Sequence, residues 1–102
     1  MVSNNDKPLG MNNIISGMFE QMANVLASLN ENHFKVLAYR KAAKVLADYH
    51  IDVAEAYQKG GMKALTAIPG IGAALSKKIV EFIETGRMHK YDEVMAQKPH
   101  RE

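Results

Sequence analysis

The run Leu65-Thr66-Ala67-Ile68-Pro69-Gly70-Ile71-Gly72-Ala73-Ala74-Leu75 limits the fold more than any other stretch of the chain. A proline fixes its own φ and ends the helix before it, while the glycines on either side of Ile71 admit positive φ. Two apolar helical segments must therefore meet here in a tight corner. The first is one or two turns over Met62 to Ala67; the second, longer, follows the glycines and closes at Thr85-Gly86. At 100° per residue Leu75, Ile79, Phe82 and Ile83 share one side of the longer helix, which predicts its buried face.

The rest of the chain reads as helix too. Ile14, Ile15, Met18, Phe19, Met22, Leu26 and Leu29 recur at helical spacing over about Met11 to Leu29, until Asn30 and Asn32 break the pattern. A second helix is expected from about Phe34 to Tyr49, with Phe34, Leu37, Ala38, Val45, Leu46 and Tyr49 as its core stripe. A third runs from Asp52, its N-cap, to about Gln58 and ends at Gly60-Gly61. A last short one covers Tyr91 to Ala96. No stretch alternates with period two, so the expectation is an all-α, compact bundle of four to six short helices. Residues 1–10, polar with Pro8 and Gly10, read as a disordered leader; 11–96 form one domain, and 97–102 a polar tail.

Charge is more informative in its placement than in its sum of +2. Residues 33–48 carry Lys35, Arg40, Lys41 and Lys44 against Asp48. Residues 77–90 carry Lys77, Lys78, Arg87 and Lys90 against Glu81 and Glu84. Two basic segments on a weakly acidic remainder imply a local anion-binding face. The absence of cysteine excludes disulfide and thiolate chemistry. No apolar run approaches membrane length and no signal peptide is read, so the expected setting is cytoplasmic, nucleoid-associated, or nuclear in a eukaryote. The four histidines share no spacing suited to zinc, and Ser76 has no evident base near it.

The corner carries chemistry of its own. Glycines leave the backbone uncovered, and the helix behind them presents unpaired N–H groups at Gly72, Ala73 and Ala74 with the positive end of its dipole. A phosphate oxygen fits such a place. A plain helix–helix connection would need no ligand. The whole pattern Leu65, Ile68, Pro69, Gly70, Ile71, Gly72, Leu75, Ile79 resembles the helix-hairpin-helix motif, which implies sequence-nonspecific binding of DNA phosphates. Nucleotide-binding loops match less well, because no GxxxxGK[ST] occurs and Leu75 stands where GxGxxG needs glycine.

Behind the corner, Lys77 points away from the apolar face, whereas Lys78 sits at its flank between Leu75 and Phe82. A flanking lysine commonly snorkels to water. One that is partly desolvated among other cations holds its proton less tightly and becomes available as a nucleophile, an effect that Glu81 would oppose by pairing with it.

Beyond the corner, "NHFKVLAYRKAAKVLADY" followed by "IPGIGAALSKKIVEFIETGRMHKYDEV" resembles the N-terminal eight-kilodalton domain of the X-family DNA polymerases of the beta-like type, over about Met11 to Val94. The resemblance implies base excision repair, with Lys78, six positions after Gly72, as the Schiff-base nucleophile of a 5′-deoxyribose phosphate lyase. It implies Lys35 as a phosphate contact, Tyr39 as a phosphate or sugar positioner, and Lys90 as a basic DNA contact. It also implies that the backbone carbonyls of Thr66, Ile68 and Ile71 ligate a monovalent cation, with no other cofactor required. The implied partner is gapped, nicked or single-stranded DNA with its 5′-phosphate ends. A polymerase domain or other repair proteins would be further partners of a monomer without a membrane role. Family lysines are replaced by Thr66 and Ala74, and a family histidine by Phe34 beside His33, which predicts weaker phosphate affinity. A noncatalytic DNA-binding module and a helical protein-interaction domain are the competing expectations.

Overall fold

The computed structural model describes residues 10–98; the expected leader at 1–9 and the tail beyond Lys98 lie outside the described residues. Among them are five helices and no strand: α1 Gly10–Ser28, α2 His33–Asp48, α3 Val53–Thr66, α4 Ala73–Thr85 and α5 His89–Ala96. The all-α expectation holds. Helix bounds shift by a residue or two: α1 opens at Gly10, inside the expected leader, and α5 begins two residues early.

α1 and α2 form an antiparallel pair, since partners descend one helix as they climb the other. Ser16 Oγ donates to the Ala43 carbonyl at 2.6 Å, the Phe19 and Tyr39 rings meet at 5.6 Å, and Arg40 reaches Asn24 at 2.8 Å and Glu20 at 3.2 Å. Asn30 makes the turn possible. It takes φ +58°, and the next amide, Glu31 N–H, donates back to the Leu26 carbonyl at 2.9 Å, closing the open end of α1. Ile15, Phe19, Met22 and Leu26 are buried as the periodicity of α1 predicts, Ala23 and Val25 join them, and Ile14 is 53 % exposed.

The core stripe expected for α2 is corrected. Leu46 is fully buried as expected, but the buried residues beside it are Val36, Tyr39, Ala42 and Ala43, whereas Phe34 is 79 % and Leu37 47 % exposed, and Ala38 faces solvent. Val45 and Tyr49 are partly buried. This helix has apolar residues on two sides. α1 takes the side where Ala42 and Ala43 let the backbones approach, and the larger side chains of the other stripe are left outside.

Two polar devices fix α3. Asp52 caps it, accepting from Ala54 N–H at 2.8 Å, as expected. The buried Asn12 of α1 donates to the Ile51 carbonyl at 2.8 Å and accepts from Val53 N–H at 2.7 Å, so both ends of its amide are used. The expected stop at Gly60-Gly61 is a break inside α3: Gly61 has φ +67° and ψ −159°, dividing the helix into 53–60 and 62–66. α4 ends on Gly86 at φ +78°, whose N–H donates to the Phe82 carbonyl at 2.8 Å. Tyr57 ties α3 to α4 through Glu84 (2.7 Å), and Tyr91 ties α5 to α1 through Gln21 (2.9 Å).

On α4, Ile79 is fully buried, and Leu75, Phe82 and Ile83 are only partly so. Ser76 is the addition: it has no exposure, and its Oγ has no hydrogen-bond partner. No described helix is long and apolar enough to cross a membrane.

Candidate nucleic-acid interface

The corner is a tight turn locked from inside. Ile71 N–H donates to the Ile68 carbonyl at 2.9 Å, with Pro69 second and Gly70 third at φ +92°, the requirements of a type II turn. Ile68 and Ile71, each 2 % exposed, plug it into the core. The two glycines then part company. A Cβ on Gly70 would stand 3.1 Å from Val45 Cγ2 and 3.6 Å from Lys41 Cε, so this glycine serves the fold by its φ and by close packing on α2. Gly70 is nevertheless exposed, as is Gly72, so the backbone is uncovered at both glycines as expected, and only the space for a side chain differs. Gly72 is different: φ −90° and ψ −174° suit any residue, and a Cβ there would meet nothing within 4 Å. Nothing in the fold calls for glycine at Gly72.

Directly behind it, α4 starts bare. Ser76 N–H makes the first bond, to the Gly72 carbonyl at 2.9 Å. No side chain caps the helix, and the amides of Gly72, Ala73, Ala74 and Leu75 have no backbone partner among the described residues. Gly72, Ala73 and Ala74 are exposed. The starts of α2 and α3 are capped by Asn32 and Asp52, and the first amide of α5, His89 N–H, donates to Glu81 Oε2 at 3.0 Å. Four amides without a backbone partner at the positive end of a helix dipole make an electropositive site suited to a tetrahedral oxyanion.

The expected cations divide. Lys77 is exposed and Lys78 half-buried, as the helical geometry predicts. The ammonium of Lys78 holds its proton less tightly than an ordinary lysine, first through burial, then through the positive charges of Lys90 and Lys35; Glu81 opposes this weakly. Lys35, Lys78 and Lys90 thus share one electrostatic neighbourhood, though they come from three helices. Glu81 makes no ion pair with Lys78, because its carboxylate is spent on the start of α5. Lys90 is not a free cation. It pairs with Glu93 at 3.1 Å, and that partner holds the Glu93 carboxyl below its usual range.

Tyr39 is 4 % exposed, its ring against Phe19, and burial raises its phenol pKa. This side chain belongs to the α1–α2 core first, so any contact with a ligand falls to its hydroxyl end. Of the carbonyls expected to face a cation, that of Ile68 accepts the turn bond, whereas those of Thr66 and Ile71 accept no backbone hydrogen bond among the described residues. Three hard oxygen donors, two of them uncommitted, fit a monovalent cation by their chemistry. Sequence reasoning named Lys41 as part of a basic segment and Glu81 as an opponent of Lys78, but missed the contact that each makes. The methylenes of Lys41 lie against Gly70, and Glu81 joins α4 to α5 beside Lys90. Only the i, i+4 offset of Lys41 from Val45 pointed to the first, and a bond spanning eight residues left no local signal for the second.

Two helices joined by a short apolar-hooked turn, with a bare helix start at its exit, define a helix-hairpin-helix protein. A comparison with known families agrees: the helix-hairpin-helix domain matches residues 11–88. The chain belongs to that family, whose domains bind DNA, and membership points to nonspecific binding.

Proposed function

We propose that this domain grips the sugar-phosphate backbone of gapped, nicked or single-stranded DNA at the start of α4, with little selectivity for base. The supporting observation is the conjunction at Gly72: unpaired amides, open space in front of them, and a glycine the fold does not need. Backbone N–H groups read a phosphate without reading its base. Lys77 adds charge, and the carbonyls of Thr66, Ile68 and Ile71 would hold a monovalent cation, supplying positive charge to a neighbouring phosphate oxygen.

The test is a titration of fluorescent duplex and gapped DNA across a salt series. Wild-type log affinity should fall linearly with log salt, because each neutralised phosphate releases counterions. Gly72→Asp should cap α4 with its own carboxylate and repel phosphate. Loss of a charge-assisted contact of about 1.5–3 kcal/mol is tenfold or more in affinity. Unchanged affinity in a folded Gly72→Asp variant would overturn the assignment of the site. Salt-independent binding would favour a protein-interaction role instead.

A second reading is favoured by one observation, the weakened hold of Lys78 on its proton beside two further cations. In this reading the domain is a 5′-deoxyribose phosphate lyase of the X-family polymerase type, acting in base excision repair. Neutral Nζ of Lys78 attacks C1′ of the ring-opened sugar aldehyde, and water leaves to give an imine. The imine takes up a proton, and a base removes the C2′ proton to give an enamine. Its electron pair forms the C2′=C3′ double bond as the C3′–O bond breaks and phosphate departs. Water then hydrolyses the unsaturated imine and frees Lys78. Lys35 and Lys90 would hold the flanking phosphates, and Tyr39 would position the sugar through its hydroxyl. Borohydride trapping on a 5′-incised abasic duplex should give a covalent adduct that Lys78→Ala abolishes. An adduct undiminished in Lys78→Ala would remove this lysine from the role, and no adduct in wild type would leave a noncatalytic binding module.

A further inference from the structure

A cleft of about 420 Å³ lies between α2 and the turn, and Gly72 is not among the residues that line it. Its floor is apolar: Val45, Ile68 and Pro69. Lys41 and Lys44 line it from α2, and Asp48 and Tyr49 stand toward the helix end. The only ion pair among these groups is Lys44 with Asp48, at 3.8 Å and largely in water, so the rim keeps a net positive charge. Lys41 is in no ion pair among the described residues, and its stem against Gly70 brings its ammonium up to the hairpin.

This cleft is separate from the Lys35, Lys78 and Lys90 neighbourhood. Lys35 and Lys41 are six residues apart on α2, which places them about 120° apart around the axis. The corner therefore stands between two basic flanks. The flank at Lys41 also continues along α2 as an apolar face, through Leu37 at 47 % and Phe34 at 79 % exposure. A duplex presents phosphates and has its base faces stacked away. An unpaired strand presents both phosphates and apolar base faces, which is what a lysine-rimmed apolar channel accommodates.

We infer that the cleft between α2 and Pro69 seats a nucleotide of an unpaired DNA strand, with Lys41 and Lys44 on its two flanking phosphates. The inference rests on the DNA-binding reading above and specifies its substrate. DNA with a single-stranded gap or overhang engages both the cleft and the amides at the start of α4, and blunt duplex engages only those amides.

The experiment compares blunt duplex with the same duplex bearing an overhang, for wild type and for Lys41→Gln/Lys44→Gln. Glutamine keeps the stem of Lys41 against Gly70 while removing its charge, and a melting curve checks the fold. The double variant should bind blunt duplex within about twofold of wild type and lose roughly tenfold on the overhang substrate. Its log–log salt slope on that substrate should fall by about 1.4, the value for two phosphates of a single strand. In wild type, a tetrahydrofuran spacer replacing one nucleotide at a time should weaken binding severalfold at a single overhang position. Equal losses on both substrates would reduce the lysines to a general charge effect and overturn the inference. No loss on either would also overturn it and leave the cleft to another ligand, such as an acidic peptide. If wild type shows no salt-dependent affinity for either substrate, the DNA-binding reading itself fails and the inference with it.

Discussion

α2 and α4 begin in opposite ways. At α2, Asn32 Oδ1 accepts from Phe34 N–H at 2.8 Å and from Lys35 N–H at 3.3 Å, so the first turn is satisfied from within. At α4, Gly72 offers no side chain and the first amides have no partner among the described residues. The difference is one residue type at the cap position. It separates a helix start that serves stability from one that forgoes about 1 kcal/mol of capping to stay open. Lys35, at the closed start, can contribute to a ligand only through its ammonium; Ala73 and Ala74, at the open one, only through their backbone.

The two glycines of the corner sharpen the contrast, and Gly70→Ala should give the largest effect. A non-glycine residue at φ +92° with its Cβ 3.1 Å from Val45 should cost roughly 2 kcal/mol, a fall in melting temperature of about 8–16 °C for a domain of this size. Gly72→Asn, which gives α4 the cap of α2, should instead leave the melting temperature level or slightly raised and weaken DNA binding about fivefold, because its amides become occupied. Equal thermal losses for the two glycine variants would erase the distinction drawn between them. The reciprocal change, Asn32→Ala, should lower stability by about 1 kcal/mol, seen as a lower urea midpoint, with DNA affinity within twofold of wild type.

A pH prediction concerns Lys78. Its folded pKa is depressed below that of the unfolded chain, so between the two values the unfolded state binds more protons. Stability contributed by this site therefore rises with pH through that window and is reduced below it. Lys78→Met should flatten that rise in melting curves taken at alkaline pH. Reductive methylation should label Lys78 at lower pH than an ordinary lysine. The smallest effect is expected at Ser76→Ala, which removes a buried hydroxyl without a partner and should stabilise by about 0.5–1 kcal/mol, readable as a slightly higher melting temperature.

Much of this was legible in the sequence because the strongest signals were local. Pro69, Gly70 and Gly72 mark the corner, Asp52 marks a helix start, and Thr85-Gly86 marks a helix end, each through backbone chemistry that acts within a few residues. The face of α2 was legible only toward its end, at Leu46. Phe34, Leu37 and Ala38 form a stripe as good as Val36, Tyr39 and Ala43, and only the tertiary fit with α1 chooses between them. Tyr39 was read from a resemblance as part of a site, and its ring proved to be core as well. Asn12, whose amide joins α1 to α3 across about 40 residues, and Ser76, a polar residue at a core position, gave no periodic signal. The two distinct jobs of Gly70 and Gly72 also required coordinates, since the letter is the same.

The break at Gly61 has a consequence for how this domain tolerates change. A continuous α3 would carry one rotational setting from Asp52 to the corner, so any shift at the Asn12 clamp would swing Ile68 and Pro69 with it. A single glycine at φ +67° resets that angle. The stretch beside Asn12 and the stretch leading into the hairpin can be tuned independently, like two gears joined by a universal joint, and the aim of the hairpin survives repacking at the far end.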